Sequence, residues 1–247
     1  MQELPQLIAI FTDFGLTGPY HGEMHAVLAA AGVKQPTIHL MADAPVYNPR
    51  AAAYLLSALA SGMPEGSLFI SVVDPGVGSE RRPILVRDSD QWFVGPDNGL
   101  LSQVARRSGK GKVELIEWRP PKLSASFHGR DLFAPVAASI CRQEYIPGRS
   151  ISLDSMVGAE WPKNLPEIIY IDGFGNAITG LSAFSCSRHE TLFVAGVDIS
   201  HAKTFSDVAV GTAFWYENSS GLIEIAVNQG SASKQLDIRI GSVIELK

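Results

Sequence analysis

Residues 49–73 read Pro49-Arg50-Ala51-Ala52-Ala53-Tyr54-Leu55-Leu56-Ser57-Ala58-Leu59-Ala60-Ser61-Gly62-Met63-Pro64-Glu65-Gly66-Ser67-Leu68-Phe69-Ile70-Ser71-Val72-Val73. The first part is an Ala/Leu-rich helix, with Pro49 in its first turn and Gly62 just past its end. The last part, 67–73, is a short, mostly apolar strand of the kind that is buried on both faces. The alternation extends outward. Leu7–Phe11 is a strand, and Glu23–Ala31 is a helix stopped by Gly32. Downstream come strands at Ile84–Val86 and Trp92–Val94 and helices at Gly99–Arg107 and Asp131–Gln143. Strands alternating with helices predict an α/β domain over 1–150, a mostly parallel sheet with helices on both faces.

From about Glu144 to Pro166 the chain is punctuated by Pro, Gly and Ser, which predicts a linker over 151–166. Beyond it the helical patterns nearly vanish. Ile168–Ile171, Thr191–Val194, Thr212–Tyr216, Leu222–Val227, Gln235–Ile240 and Val243–Leu246 read as strands separated by Gly, Ser and Asn turns. So many short strands over 167–247 predict a small antiparallel β-barrel. Chains of this kind often hold a ligand between domains or subunits.

Composition narrows the function. Of 247 residues, 46% are hydrophobic and 18% charged, which excludes a disordered chain or a coiled coil. A formal net charge of −5 argues against nucleic acid as a partner and is compatible with a cationic small molecule. Cys141 and Cys186 make neither a disulfide framework nor a zinc spacing. The start, Met1-Gln2-Glu3-Leu4-Pro5, carries no basic run leading into a long apolar one. No stretch approaches the roughly 18 apolar residues of a membrane span. No membrane partner and a cytoplasmic location are therefore expected.

Polar residues gather where strands end. Asp13 follows the first strand in Phe11-Thr12-Asp13-Phe14-Gly15, and Asp74 follows another in Val73-Asp74-Pro75-Gly76-Val77-Gly78. Parallel sheets bind ligands beyond the carboxyl ends of their strands, although Asp beside Gly is also ordinary turn chemistry. Arg81 lies close enough after Asp74 to fold back onto it; with Arg82 it also reads as a solvated pair at a strand start. Gly95-Pro96-Asp97-Asn98-Gly99 reads as a turn capping the next helix. In Phe127-His128-Gly129-Arg130-Asp131, Asp131 suits a helix N-cap, and Gly129 leaves room beside His128. That imidazole is either a hydrogen-bonded loop residue or the holder of a water or anion. Asp172 and Asn176, in Ile171-Asp172-Gly173-Phe174-Gly175-Asn176, follow a strand. Asn218-Ser219-Ser220-Gly221 and Asn228-Gln229-Gly230 flank the strand Leu222–Val227, as hairpin turns or polar contacts. Phosphate-loop, dinucleotide-fingerprint, nucleophile-elbow and zinc-helix motifs are all missing from the sequence.

FTDFG at 11–15, DPGVGSERRP at 74–83, GPDNG at 95–99, FHGRDLFAP at 127–135 and IDGFGNAITG at 171–180 occur in one order. Together they resemble the S-adenosyl-L-methionine (SAM) hydroxide adenosyltransferases, adenosine-forming SAM hydrolases related to the SAM-dependent fluorinase and chlorinase. The resemblance runs along nearly the whole chain. It implies an N-terminal α/β domain, a C-terminal β-barrel, and a homotrimer with SAM bound at subunit interfaces. It implies that Asp74, Arg81 and His128 handle the attacking water and that Asp13 holds the ribose hydroxyls. Asp172 then meets the methionine amino group, Asn176 the adenine and Ser219 the methionine carboxylate, while the backbone of Val227–Gln229 contacts adenine. Gly129 is the small residue beside the halide position of the halogenases. Those enzymes carry an Arg near Val227 and an aromatic near Ile178, and many relatives have Asn at Gly180, so the contacts at that end depart from the pattern.

The implied reaction converts SAM and water into adenosine and methionine, with SAM as substrate and no further cofactor. Methionine is already a good neutral leaving group, so the enzyme has only to hold water in line and make it more hydroxide-like. An always-charged Arg81 suits a developing anion, and Asp74 or His128 can orient the water or take its proton. Two other enzyme readings compete, beside a non-catalytic SAM or adenosine sensor in which the intact Asp74–Arg81–His128 set would be unexplained. One is a halogenase, which a halide-repelling carboxylate at Asp74 disfavours. The other is a metal-dependent hydrolase using Asp13, Asp43, Asp74, Asp97, His128 and Asp131. That set contains no short-range ligand pair, and Arg81 would oppose a cation.

Overall fold

Short apolar runs become the central strands of the first of two units in the computed structural model, which describes residues 4–247. Met1–Glu3, part of the N-terminal stretch read above, lie outside the described residues. One unit comprises the chain up to Ser57 with Met63–Trp161, and the other comprises Ala58–Gly62 with Pro162–Lys247. No helix among the described residues is long and apolar enough to cross a membrane.

In chain order the first part forms β1 (Leu7–Thr12), α1 (Tyr20–Ala30), β2 (Thr37–Met41), α2 (Pro49–Ser61), β3 (Ser67–Val72), β4 (Pro83–Asp88), β5 (Gln91–Pro96), α3 (Ser102–Arg106), β6 (Lys112–Ile116), α4 (Ala134–Cys141) and β7 (Gly148–Ile151). The strands make one sheet in the order β2-β1-β3-β5-β4-β6-β7. Strands β2, β1, β3 and β5 pair in parallel. Strands β4 and β7 run against the other five, so the sheet is mostly parallel in direction. Strand β4 is reversed because Asp88 pairs with Gln91 across a two-residue turn, with Ser89 at φ 54°. Such a turn joins only antiparallel neighbours. Strand β7 lies inside the stretch read as Pro/Gly/Ser-punctuated, where its pairing with β6 overrides a weak local pattern.

Alternation along the strands builds two cores. Ile8, Ile10, Leu68, Ile70, Val72 and Val94 face one way, packed with Met24 and Leu28 of α1 and Val136 and Ala137 of α4. On the other face Phe69 and Phe93 stack at 4.5 Å, and the Arg107 guanidinium at the end of α3 lies 5.9 Å from the Phe93 ring.

The second unit contains β8 (Leu165–Ile171), β9 (Ala177–Ser182), β10 (Leu192–Val194), β11 (Val197–Ile199), β12 (Ala213–Glu217), β13 (Leu222–Val227), α5 (Ala232–Gln235) and β14 (Glu245–Leu246). They form antiparallel sheets of order β12-β13-β9-β8 and β11-β10-β14. Isolated bridges Glu167–Val243 and His201–Trp215 tie the outer strands β8 and β12 to the segments next to β14 and β11. The strand expected at Gln235–Ile240 does not form. Ser231 instead accepts a hydrogen bond from the Lys234 N–H, one helical turn follows, and Asp237 takes φ 51°. The apolar alternation there buries Leu236 and Ile238 without any strand pairing.

Candidate active site

Strand β1 connects through α1 to β2 on one side, whereas β3 leads through β4 to the strands on the other. The crevice beyond the carboxyl ends of β1 and β3 is therefore a topological switch point. Thr12 and Val72 are partners in the β1–β3 register, so the loops bearing Asp13 and Asp74 open at the same edge. A buried hydrogen bond between Thr12 Oγ1 and His21 Nε2, 2.8 Å, ties the start of α1 to this edge. Asn98 donates to the Val73 carbonyl at 2.9 Å and steadies the approach to Asp74. Asp97 is taken up by Arg82 at 2.8 Å and by the Val157 N–H at 3.1 Å, so the 95–99 turn serves structure.

The loop after Asp74 is wound tightly enough to return Arg81. Val77 N–H donates to the Asp74 carbonyl at 3.2 Å, and the Ser79 hydroxyl donates to the Gly76 carbonyl at 2.7 Å. Gly78 sits at φ +82°, and a Cβ there would stand 2.5 Å from the Ala125 carbonyl oxygen, so glycine lets the 124–128 segment close on this loop. Arg81 Nε donates to both Asp74 oxygens, at 2.9 and 2.7 Å, and Nη2 completes the ion pair. Nη2 also meets His128 Nδ1 at 2.8 Å. The side chains of Arg81 and Asp74 are 8% and 3% exposed, so this is a desolvated charge pair.

A guanidinium only donates. His128 Nδ1 must therefore be the acceptor, and the neutral ring carries its proton on Nε2. Burial first, then the Arg81 charge, hold this imidazole below its ordinary pKa.

The helix after His128 differs from the expectation. It begins as a π-helical turn, Gly129–Phe133, before α4, with the Ala134 N–H reaching the Gly129 carbonyl. Pro135 has no N–H to offer the Asp131 carbonyl, which an α register would require, and the wider turn follows. Asp131 is not an N-cap: it pairs with Arg130 at 2.6 Å and accepts from the Ser124 N–H at 2.8 Å. Gly129 is also less open than expected, since a Cβ there would stand 3.3 Å from the Phe127 ring.

Asp13, Asp74, His128 and Gly129 line one cleft of about 380 Å³. Burial raises the Asp13 pKa, against a hydrogen bond of 3.2 Å from the Tyr47 N–H. Arg81 does not line this cleft but lies behind it, on a second cavity that shares only His128 with the first. The cleft walls are aromatic: Phe14 and Tyr20 are 5.7 Å apart, and Phe127 lies 5.8 Å from the former and 5.4 Å from the latter. Tyr47, at φ 56° and exposed, completes the rim. Sequence reasoning missed these aromatics; Phe14 and Phe127 stand within quoted motifs, whereas the left-handed backbone of Tyr47 has no sequence signature.

The other predicted residues meet in the second unit. Asp172, Asn176, Ser219, Val227 and Gln229 line a cleft of about 750 Å³. Asp172 Oδ1 accepts from the N–H groups of Phe174 and Asn176, both at 2.9 Å, and Oδ2 from Asn176 Nδ2 at 3.0 Å. Val227 turns its side chain into the core and leaves its backbone to the cleft edge. Phe174, Phe205, Tyr216, Asn218 and Glu224 also line this cleft and were not foreseen. Burial first, then Glu224, push the Tyr216 hydroxyl well above its ordinary range, so it stays a donor.

An α/β unit with a carboxylate–guanidinium–imidazole set at its switch point, joined to an antiparallel β unit with an acidic aromatic cleft, defines a class of small-molecule enzyme. Sequence models of the SAM hydroxide adenosyltransferase N-terminal and C-terminal domains match residues 8–148 and 166–245. The chain belongs to that family. It is 34% identical to a protein of Thermus thermophilus named (R)-S-adenosyl-L-methionine hydrolase, over 97% of this chain and 98% of the relative. A protein of the same name from Salinispora arenicola is also 34% identical, over 97% of each chain. A crystal structure of an uncharacterized conserved protein from Thermotoga maritima superposes with a TM-score of 0.86 at 31% identity, over 97% of this chain and 99% of the other.

Proposed function

We propose that this protein hydrolyses S-adenosyl-L-methionine to adenosine and L-methionine, with water attacking C5′. The observation that carries the reading is the Asp74–Arg81–His128 set, which two separate motifs, 74–83 and 127–135, bring together, with Asp74 and His128 on the cleft and Arg81 behind them. As water attacks, the C5′–O bond forms and the C5′–S bond breaks. Its electron pair passes to sulfur, which leaves as a neutral thioether, and one proton is released. Because His128 presents Nε2–H, it donates to the water oxygen and orients it. Asp74 takes the proton, and Arg81 stays beside the charge that develops. A halide would face the Asp74 carboxylate, which disfavours halogenation.

No metal is needed in this scheme. Asp74, Asp97 and Asp131, which a metal-dependent hydrolase would recruit, are each committed to an arginine. The curated relatives are named for the R form, and we extend that preference to this chain. Incubation with each sulfonium epimer, followed by product chromatography, tests the reading. Adenosine and methionine should form in the presence of EDTA, faster from the R epimer. Loss of activity in EDTA restored by one divalent ion, or a 5′-haloadenosine in chloride buffer, would refute it.

The pH profile follows from His128. Its pKa is lowered from 6.5, so the ring stays neutral as pH falls through that value and gains charge only below it. Turnover should therefore be level across 6.5 and decline at more acidic pH, once protonation at Nδ1 expels the Arg81 hydrogen bond. An acidic limb already complete above 6.5 would contradict this assignment.

We further infer a cytoplasmic homotrimer in which the first-unit cleft of one subunit and the second-unit cleft of a neighbour hold one SAM molecule. Support comes from the division of the predicted contacts between two clefts, with Asp13 and Asp74 on one and Asp172, Asn176 and Ser219 on the other. Mixing exchanged Asp74→Ala and Asp172→Ala chains should regenerate intact sites and recover activity above either parent. No recovery after verified exchange would exclude shared sites.

A further inference from the structure

The cleft of the second unit contains a charge that the chain does not balance. Glu224 on β13 is 5% exposed and lines the cleft together with Asp172. Its Oε1 accepts from the Tyr216 hydroxyl at 2.6 Å and its Oε2 from Asn218 Nδ2 at 3.0 Å. Both donors are neutral. No Lys, Arg or His lines the cleft, and no ion pair involves Glu224 among the described residues.

A structural duty accounts for the hydrogen bonds but not for the charge. Asn218 Oδ1 accepts from the N–H groups of Ser220 and Leu222, at 2.9 and 3.1 Å, and so shapes the turn that presents Ser219. A glutamine at 224 could hold the same two partners, because its oxygen accepts from Asn218 and its amide donates to the Tyr216 oxygen. A buried carboxylate is costly unless a cation arrives to meet it. Here the counter-charge has to come from the ligand.

We propose that Glu224 is a specificity-determining residue whose buried charge, beside Asp172, receives the α-ammonium group of the substrate's amino-acid portion. This rests on the SAM reading above. The ammonium, rather than the sulfonium, is the partner that fits the chemistry. Attack at C5′ discharges the sulfonium, so a carboxylate paired with it would favour the ground state over the transition state. The ammonium keeps its charge throughout, and a contact to it contributes equally to both states.

Glu224→Gln in the full chain should therefore raise KM for SAM by about ten- to a hundredfold, the range for a lost charge-assisted hydrogen bond, and leave kcat within about twofold. A SAM analogue lacking the amino group should bind wild type weakly and should lose little more in the variant. Glu224→Asp, which keeps the charge, should retain more SAM affinity than Glu224→Gln and carries the test if the latter misfolds in thermal melts. An unchanged KM for SAM, an equal penalty on both ligands, or a raised kcat would each overturn the assignment. Calorimetric SAM binding separates this inference from the reaction it rests on. Wild type that binds SAM without turnover would remove the hydrolase reading and leave the Glu224 comparison standing, whereas wild type that does neither would remove both.

Discussion

Arg81→Ala should lower kcat for SAM hydrolysis by on the order of 10²–10³, the span for loss of one preorganised group that stabilises a developing charge, with a much smaller change in KM. Ground-state SAM presents a cationic sulfonium, and negative charge appears on the attacking oxygen only as water loses its proton. A guanidinium behind the cleft, bound to Asp74 and His128 that face that oxygen, therefore interacts more favourably with the transition state than with bound substrate. Arg81→Lys should recover little. Arg81 spans two partners at once, with Nε on both Asp74 oxygens and Nη2 on His128, and an ammonium cannot reproduce that planar fork. The substitution also leaves Asp74 as a buried carboxylate without its partner. Breaking such a pair costs about 3–5 kcal/mol of stability, so the melting temperature has to be followed alongside the kinetics. Near-normal turnover with badly weakened SAM affinity would move Arg81 from the chemical step to substrate binding.

Asp74→Asn should be at least as damaging, with kcat reduced by about 10²–10⁴, the span of a lost general base. The amide preserves the shape of the carboxyl group and can still accept from Arg81, but it cannot take a proton from water. The deficit should shrink steadily as pH rises, because solution hydroxide replaces the water that Asp74 can no longer activate. The tautomer of His128 makes this prediction asymmetric. With Nδ1 occupied by Arg81, the imidazole offers a donor on Nε2, so it cannot substitute as the base. A variant with wild-type pH dependence and a loss below about tenfold would assign proton removal elsewhere.

Much of this site is legible in the sequence. Asp13 and Asp74 stand directly after apolar runs, and parallel pairing of those runs brings the two loops to one edge. The return of Arg81 onto Asp74 was readable as a possibility from loop length and glycine content. What sequence could not supply was set by long-range pairing and by backbone geometry. The β4 reversal depends on a two-residue turn with Ser89 in the left-handed region, in a stretch without glycine at that position. The π-helical turn at 129–133 follows from a proline further on, through a carbonyl that an α register would leave unpaired. At 235–240, alternating Leu236, Ile238 and Ile240 imitated a strand, but only the first two are buried, and they are buried without strand pairing. Glu224 was passed over for a related reason. Within Leu222–Val227 a single acid reads as the solvent side of a strand, and only the packing of Tyr216 and Asn218 shows that it is enclosed.

Every role given to the first-unit cleft follows from attack of water at C5′ of the ribose. The most direct measurement is a single-turnover reaction of the purified protein with SAM in water enriched in heavy oxygen, with mass spectrometry of both products. Adenosine should carry one heavy atom, retained on its 5′-hydroxyl, and methionine should carry none. Label appearing instead in homoserine beside methylthioadenosine, or in a ribosyl product beside free adenine, would place the attack on another carbon and contradict the role given to Asp74, Arg81 and His128.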